Sequence, residues 1–320
     1  MAQKILGLQS FIWSNNIRSL ILLALFPCIL CLLVFLIFTG IVSAEGVPLE
    51  SAPMSAWEML YSFIGYIFSG VAVWFLIAWL FHQKMILAMT QSKPLDRKDN
   101  PMIYDIVERL CISRGLPMPK LYIIEDESMN AFASGLSPKN ALISFSRGIL
   151  NALNKDELEA VAAHELTHIM NRDIRLMVVA IIFVGIIQTV SEVFLRSHIN
   201  ISSDNKNGGN AMLIILAIKL VVFILGFLFT TIVQLAISRK REYLADAGSV
   251  ELTKTGEHLI TALQKISGDA RIEVIENRSV AQMCIENPLG DHGSRTSIFQ
   301  NLFSTHPAVE DRVRVLREIG

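Results

Sequence analysis

Two histidines and a glutamate in the stretch AHELTHIMNRD have the residue types and spacing of a metal-dependent hydrolase. His164 and His168 are four residues apart, so on a helix their imidazoles share one face and can bind one ion. Zinc accepts neutral imidazole nitrogen and leaves a position for water when only three protein groups bind it. Glu165 lies beside the pair and suits a general base. The stretch predicts a zinc site on a helix; the alternative is a surface helix with two histidines by chance.

A two-histidine site requires a third protein ligand, and the best candidate lies downstream in the segment SRKREYLADA. Glu242 follows an apolar run there, and Asp246 lies one helical turn later on the same face. We predict that Glu242 completes the zinc site and that Asp246 orients a zinc-bound histidine through a hydrogen bond, as such ligands usually require. The alternative is an ordinary solvated helix beside a membrane, in which Arg and Glu are common.

The overall composition is that of a membrane protein. The 320 residues are 52% hydrophobic and 18% charged, with a mean hydropathy of +0.48, which is too apolar for an ordinary soluble domain. The net charge of −1 and the lack of a basic block give no sign of nucleic-acid binding, and no nucleic-acid partner is expected. Four runs are long enough to cross a bilayer as helices, which takes about 20 apolar residues. They cover approximately residues 20–43, 59–81, 176–195 and 212–237.

The basic residues beside these runs predict how the chain is oriented in the membrane. Lys and Arg precede the first span and follow the second and fourth, whereas loop 44–58 has three glutamates and no Lys or Arg. Both termini and the two long polar segments are therefore predicted in the cytoplasm, where the segments form one catalytic domain. The predicted order is an N-terminal region with two spans in 1–82, the first part of the catalytic domain in 83–173, two spans in 174–238 and the second part in 239–320.

Local signals predict the elements that position the site. Asn100 and Pro101 open a helix that stops at Gly115, and Asn154 begins the helix that carries the two histidines. Neither glycine nor proline interrupts that helix before the third span. Strands are predicted at residues 121–124, 130–135 and 141–145. The fold class is predominantly α, of the α+β type, with four transmembrane helices and a cytoplasmic domain that contains a small β-sheet.

The chain resembles the HtpX-type membrane zinc metalloproteases, which are related to the type I CAAX prenyl proteases. Two span pairs and the motifs NAFASG, HELTHIMNRD, REYLADAGS and LFSTHPAVEDRV follow each other in the family's order over nearly the whole chain. The resemblance implies a zincin-type metalloprotease domain and membrane-protein quality control in the bacterial inner membrane. By position, His164, His168 and Glu242 match the family's zinc ligands, and Glu165 matches its base.

The resemblance also points to residues around the metal. His306 and Arg312 match a C-terminal motif that lies near the metal in relatives. We expect His306 to donate a hydrogen bond to the developing oxyanion and Arg312 to hold a carboxylate or the substrate backbone; alternatively, His306 only packs at a helix start. Asn130, Ala131 and Phe132 begin a segment that could be an edge strand for an extended substrate, or a plain internal strand.

The expected activity is that of a zinc endopeptidase with one Zn²⁺ per chain, which cleaves misfolded or damaged membrane proteins, or other unfolded polypeptides, at the lipid bilayer under stress. Two other functions stay open. A CAAX-type prenyl-protein endoprotease shares the zinc chemistry, although four spans build a smaller membrane chamber than that family has. A non-catalytic zinc-binding membrane scaffold would have no need for Glu165. The sequence predicts neither the oligomeric state nor a role for residues 271–296.

Overall fold

The computed structural model describes residues 8–48, 50–197, 208–236, 240–268 and 307–319, together with residues 272, 275 and 283–285. The chain divides into two compact units. The first unit consists of Met1–Ser19, Phe81–Val179 and Gln234–Gly320, and the second unit consists of Leu20–Leu80 and Ala180–Val233. All the residues predicted to hold or surround a metal belong to the first unit.

Four long helices contain the four apolar runs that the sequence shows. They are α1 (Leu8–Ala44), α2 (Ala52–Met89), α6 (Asp173–Arg196) and α7 (Gly208–Ala236). Among the described residues, Leu25–Ser43 and Ala52–Met89 are long and apolar enough to cross a membrane, with mean hydropathies of 2.9 and 2.0. Only 6% of the most apolar window of α2 is buried, so this helix presents a large apolar surface of the kind that lipid covers. The chain is thus a mostly helical membrane protein.

A small mixed sheet lies in the first unit. Its strands are β1 (Lys93–Pro94), β2 (Lys120–Ile124), β3 (Ala131–Ser134) and β4 (Leu142–Ser146), in the order β1-β2-β4-β3. Strands β2 and β4 are parallel, while β1 and β3 are antiparallel to their neighbours. The predicted small sheet is confirmed, and β3 lies at its edge. Every residue of β3 and β4 is buried, which explains why these strands read as apolar runs rather than alternating ones.

Among the described residues, the first unit also contains six shorter α-helices. They are α3 (Pro101–Arg114), α4 (Arg147–Ala152), α5 (Lys155–Asn171), α8 (Lys240–Thr253), α9 (Glu257–Ile266) and α10 (Val309–Ile319). The predicted helix signals act as expected: Gly115 ends α3 with a left-handed φ of 62°, and the side chain of Asn154 accepts a hydrogen bond from the Glu157 N–H in a capping box. Helix α5 packs against α3, α8, α9 and β3, so it forms the centre of this unit.

The helix that carries the two histidines does not continue into the next apolar run as predicted. It ends at Asn171, and Arg172 has a left-handed backbone with φ of 57° before α6 begins at Asp173. The Arg172 N–H donates to the carbonyls of His168 and Ile169, which closes the last turn as a C-cap. A left-handed arginine costs about 1–2 kcal/mol relative to glycine, and no residue-type signal in the sequence marks this break.

Helices α5 and α8 approach each other closely at a glycine. A Cβ atom at Gly248 would lie 2.3 Å from Cγ2 and 2.5 Å from Oγ1 of Thr167, so any larger residue collides with α5. About two turns earlier in α5, the carbonyl of Ala160 accepts a hydrogen bond of 2.7 Å from the Ser249 hydroxyl. Because His164 and Glu242 lie on these same two helices, the contact fixes the spacing of the helices that bear them.

We predict that Gly248→Ala lowers the stability of the protein by about 1–3 kcal/mol, because overpacking forces a backbone shift between α5 and α8. Thr167→Ala removes the two atoms that collide and should restore part of the loss in the double variant. Thermal unfolding midpoints of the wild type, both single variants and the double variant in detergent measure this coupling. Equal midpoints for Gly248→Ala and the wild type would show that the helices are not in close contact.

Candidate metal centre

Three side chains from α5 and α8 converge on one point. A ring nitrogen of His164, a ring nitrogen of His168 and a carboxylate oxygen of Glu242 all lie within 4.8 Å of one another. The two Nε2 atoms are 3.2 Å apart, and each lies 3.6 Å from a carboxylate oxygen of Glu242. Zinc bonds of about 2.0–2.2 Å in a tetrahedral arrangement separate two ligand atoms by about 3.3–3.6 Å. The two nitrogens and the carboxylate therefore fit a zinc ion in both chemistry and spacing.

Asp246 determines which nitrogen of His164 faces this point. Its Oδ1 lies 3.0 Å from Nδ1 of His164, and both side chains are completely buried. Because Nδ1–H donates to the carboxylate, the lone pair of the neutral ring stays on Nε2, the nitrogen that faces His168 and Glu242. Burial opposes the charge on Asp246, but the positive charge of Arg312 and the hydrogen bonds outweigh it and hold the pKa of this carboxyl below its usual value. Asp246 is therefore ionised.

Arg312, on α10, holds this carboxylate from the other side. Its Nε donates to Oδ2 of Asp246 over 3.0 Å, and its Nη2 donates to Oδ1 over 2.6 Å. Its Nη1 donates to the backbone carbonyl of Ile285 over 3.0 Å. The guanidinium is 0% exposed, so these oxygens replace the water it has lost. The strongest contact of Arg312 is thus with a carboxylate of its own chain, and its Nη1 also lies 3.8 Å from Oε2 of the candidate ligand Glu242.

Glu165 stands out because it is buried without a hydrogen-bond partner. It is 1% exposed, and within the described part of the chain neither carboxylate oxygen has a partner. Burial raises its pKa above the usual value, although both histidines of the site oppose this through their charge. An unpartnered buried carboxylate is costly, so its position next to the histidines indicates a partner that the described residues do not provide. A water molecule held at a metal would satisfy it.

The same buried charges affect His164. Burial lowers its pKa, but the hydrogen bonds to Asp246 and Glu242 outweigh burial and raise the pKa to about 9. Histidine binds a metal only as the neutral ring, so a metal that binds here displaces a proton from His164.

The remaining predicted residues have different outcomes. His306 lies outside the described residues. Asn130 is buried just before β3, and the Ala131 N–H donates to its side-chain oxygen, so it shapes the backbone at the start of the strand. Strand β3 is an edge strand, as one alternative predicted, yet the chain itself meets its open side: Phe132 forms a bridge with Cys284. The sequence does not predict this contact, since the residues around Cys284 carry no periodic pattern.

Comparisons with known proteins show which family the chain resembles. A model described as peptidase family M48 matches residues 97–320. A protease HtpX homolog of Bacteroides fragilis (strain YCH46) is 42% identical over 318 residues, which cover 98% of either chain. One of Lactobacillus helveticus (strain DPC 4571) is 38% identical over 80% of this chain and 90% of its own. The crystal structure of S. mikatae Ste24p has a TM-score of 0.48 and 18% identity, covering 95% of this chain and 66% of that one.

A mostly helical domain with a small mixed sheet and a two-histidine, one-glutamate cluster is the architecture of a metallopeptidase. The chain belongs to peptidase family M48. The resemblance to HtpX-type membrane proteases seen in the sequence motifs is confirmed by relatives that match over nearly the full length. The protein is therefore a hydrolase of peptide bonds with a candidate metal site at His164, His168 and Glu242.

We predict a ranking of metal affinity among variants of the two acidic residues. Glu242→Ala removes a ligand and should abolish measurable Zn²⁺ binding, whereas Asp246→Asn should cost about 10–100-fold, as expected for a partner of a ligand. Asp246→Asn is preferred to Asp246→Ala because it keeps an acceptor for the buried Arg312. Titration against a zinc chelator measures both affinities. The assignment is wrong if Asp246→Asn loses the metal while Glu242→Ala keeps it.

Proposed function

We propose that this protein is a zinc endopeptidase that cleaves misfolded or damaged membrane proteins and other unfolded polypeptides at the bilayer, with one zinc per chain. The observation that carries the proposal is the convergence of three ligand atoms on one point beside a buried carboxylate. His164, His168 and Glu242 would hold the ion, with Asp246 fixing the orientation of His164. The M48 family match and the HtpX homologs support peptide-bond hydrolysis at a membrane.

The residues of the site can carry out the proton transfers of peptide hydrolysis. When bound, zinc supplies a Lewis acid that acidifies water and polarises the scissile carbonyl. Glu165 takes a proton from the attacking water at its carboxylate and passes it to the nitrogen of the leaving amine. The raised pKa of Glu165, caused by burial, favours this role because it makes the carboxylate a stronger base. The charges of Asp246 and Glu242 offset that of Arg312 within the site.

Extended polypeptide is the substrate form that the fold suits. An edge strand recognises a peptide through backbone hydrogen bonds, which do not depend on the side chains of the substrate. The edge strand β3 begins with Ala131 and Phe132, and it packs against α5, the helix that carries Glu165. Only an unfolded or locally unfolded chain can present an extended backbone, which supports damaged proteins as substrates.

The proposed setting is the bacterial inner membrane. Four spans are proposed, corresponding to α1, α2, α6 and α7, of which two meet the length and hydropathy expected of a spanning helix within the described residues. The distribution of Lys and Arg beside the spans supports a cytoplasmic active site and cytoplasmic termini. The bacterial origin of the HtpX homologs supports the choice of membrane.

Glu165→Gln is the variant that tests this function. It should keep its zinc and lose about 10²–10⁴-fold in turnover, because it removes the proton acceptor and leaves the three ligands in place. The assay follows cleavage of a single-span membrane protein with a destabilised soluble domain, reconstituted together with the enzyme, with and without a zinc chelator. Zinc content is measured on the same samples.

Glu159→Gln provides the matched control, because it makes the same change on the same helix. Glu159 is partly exposed and lies 3.7 Å from Arg109, away from the metal centre. This variant should cleave at the wild-type rate. Undiminished turnover in Glu165→Gln, or a wild-type enzyme that cleaves no polypeptide at all, would refute the proposed function.

A further inference from the structure

The open edge of β3 is covered by a short segment of the same chain. Phe132 forms an antiparallel bridge with Cys284, and the N–H of Ile285 donates to the carbonyl of Ala131 over 2.8 Å. This segment, Met283–Ile285, is named here the cover segment. It is buried, with exposed fractions of 6%, 1% and 1%. It therefore occupies the place at which a further extended strand would add to the sheet.

The cover segment also lies beside the site itself. The carbonyl of Ile285 accepts a hydrogen bond from Arg312 over 3.0 Å, and Arg312 in turn binds Asp246, the partner of His164. Glu165 is almost completely buried, as is His164. In this structure the edge of β3 and the carboxylate of Glu165 are therefore both covered.

The contacts of the cover segment hold it in place without making it a full strand. In the described part of the chain it has one bridge to β3, whereas β3 pairs with β4 over four residues. A peptide that pairs along all of β3 would form more backbone hydrogen bonds with this strand than the described residues of the cover segment form. The carbonyl of Ile285 is held by Arg312, which also binds Asp246, so a movement of the segment changes a contact of the network behind His164.

We propose that the cover segment Met283–Ile285 is an internal occupant of the substrate edge, and that an extended polypeptide must displace it from β3 before cleavage. This inference rests on the proposed function, since it describes how that function is restrained in the absence of substrate. It predicts an enzyme that is closed by default and opens for polypeptides that offer an extended backbone.

A reversible disulfide tests the displacement. Residues 132 and 284 are opposite each other in a bridge flanked by the Ile285–Ala131 hydrogen bond, the arrangement in which Cα atoms are closest, about 4.5 Å apart, and within disulfide range. Phe132→Cys would pair with Cys284 in a background in which the other cysteines, Cys28, Cys31 and Cys111, are replaced by Ala. Diamide oxidises the two thiols, taking up two electrons and two protons, and a phosphine reductant reverses the bond.

The locked enzyme should lose at least tenfold in kcat/KM on an unfolded polypeptide and recover when reduced, with zinc content unchanged throughout. Phe132→Ala in the same background is the control, since it loses the same ring and has no thiol at that position. Its activity should not respond to diamide. Full cross-linking, verified by mass spectrometry, with undiminished activity would overturn the inference. No cleavage by the wild-type enzyme would instead contradict the proposed function.

A second measurement does not depend on activity or on the Phe132 substitution. Ile285→Pro deletes the N–H that binds Ala131, while Ile285→Val keeps it. With Cys284 as the only cysteine, N-ethylmaleimide should label it at least tenfold faster in the Pro variant than in the Val variant. A matched protein that keeps only Cys111, which is also buried, reports global unfolding and should label equally in both variants. Equal labelling of Cys284 in both variants would show that the segment is a fixed part of the sheet.

Discussion

The arrangement of the helices around the candidate metal site depends on the carboxylate of Asp246, because this group binds a candidate metal ligand and a buried cation at the same time. It accepts from His164 on one side and from Arg312 on the other, and all three side chains are 0% exposed. Breaking one partner of a buried ionic group leaves the other charge without solvation, at a cost of about 3–5 kcal/mol. The Asp246 carboxylate therefore holds the helices α5, α8 and α10 in one arrangement, although it is not itself a candidate metal ligand.

That arrangement links stability to chemistry. The close contact between Gly248 and Thr167 holds α8 against α5. The hydrogen bond from His164 to Asp246 then sets the orientation of the imidazole ring between these two helices. The cost of the site is the burial of Glu165, whose oxygens have no partner in the described part of the chain. Natural proteins accept such local costs at functional positions. In this protein the base is ready to accept a proton because no other group of the described chain competes for it.

Local signals in the sequence predicted much of the fold, whereas contacts between distant segments were beyond them. The capping box that begins α5 lies within four consecutive residues from Asn154, so the start of this helix could be predicted from the sequence. The four-residue spacing of the two histidines likewise predicts that they lie on one face of the helix. The break between α5 and α6 at Arg172 could not be predicted in this way, because no glycine or proline marks it. Arg312 could be placed near the metal only by resemblance, because its partner Asp246 lies 66 residues away. The bridge of Cys284 to β3 depends on tertiary packing alone.

The central claim is that two imidazoles and one carboxylate hold a zinc ion at the junction of α5 and α8. X-ray absorption at the zinc edge of the loaded protein in detergent tests it most directly. We expect only nitrogen and oxygen neighbours at about 2.0–2.2 Å, with the multiple scattering of two imidazole rings from His164 and His168. A sulfur neighbour at about 2.3 Å, which would place Cys284 on the metal, or the signature of a single ring, would contradict the account.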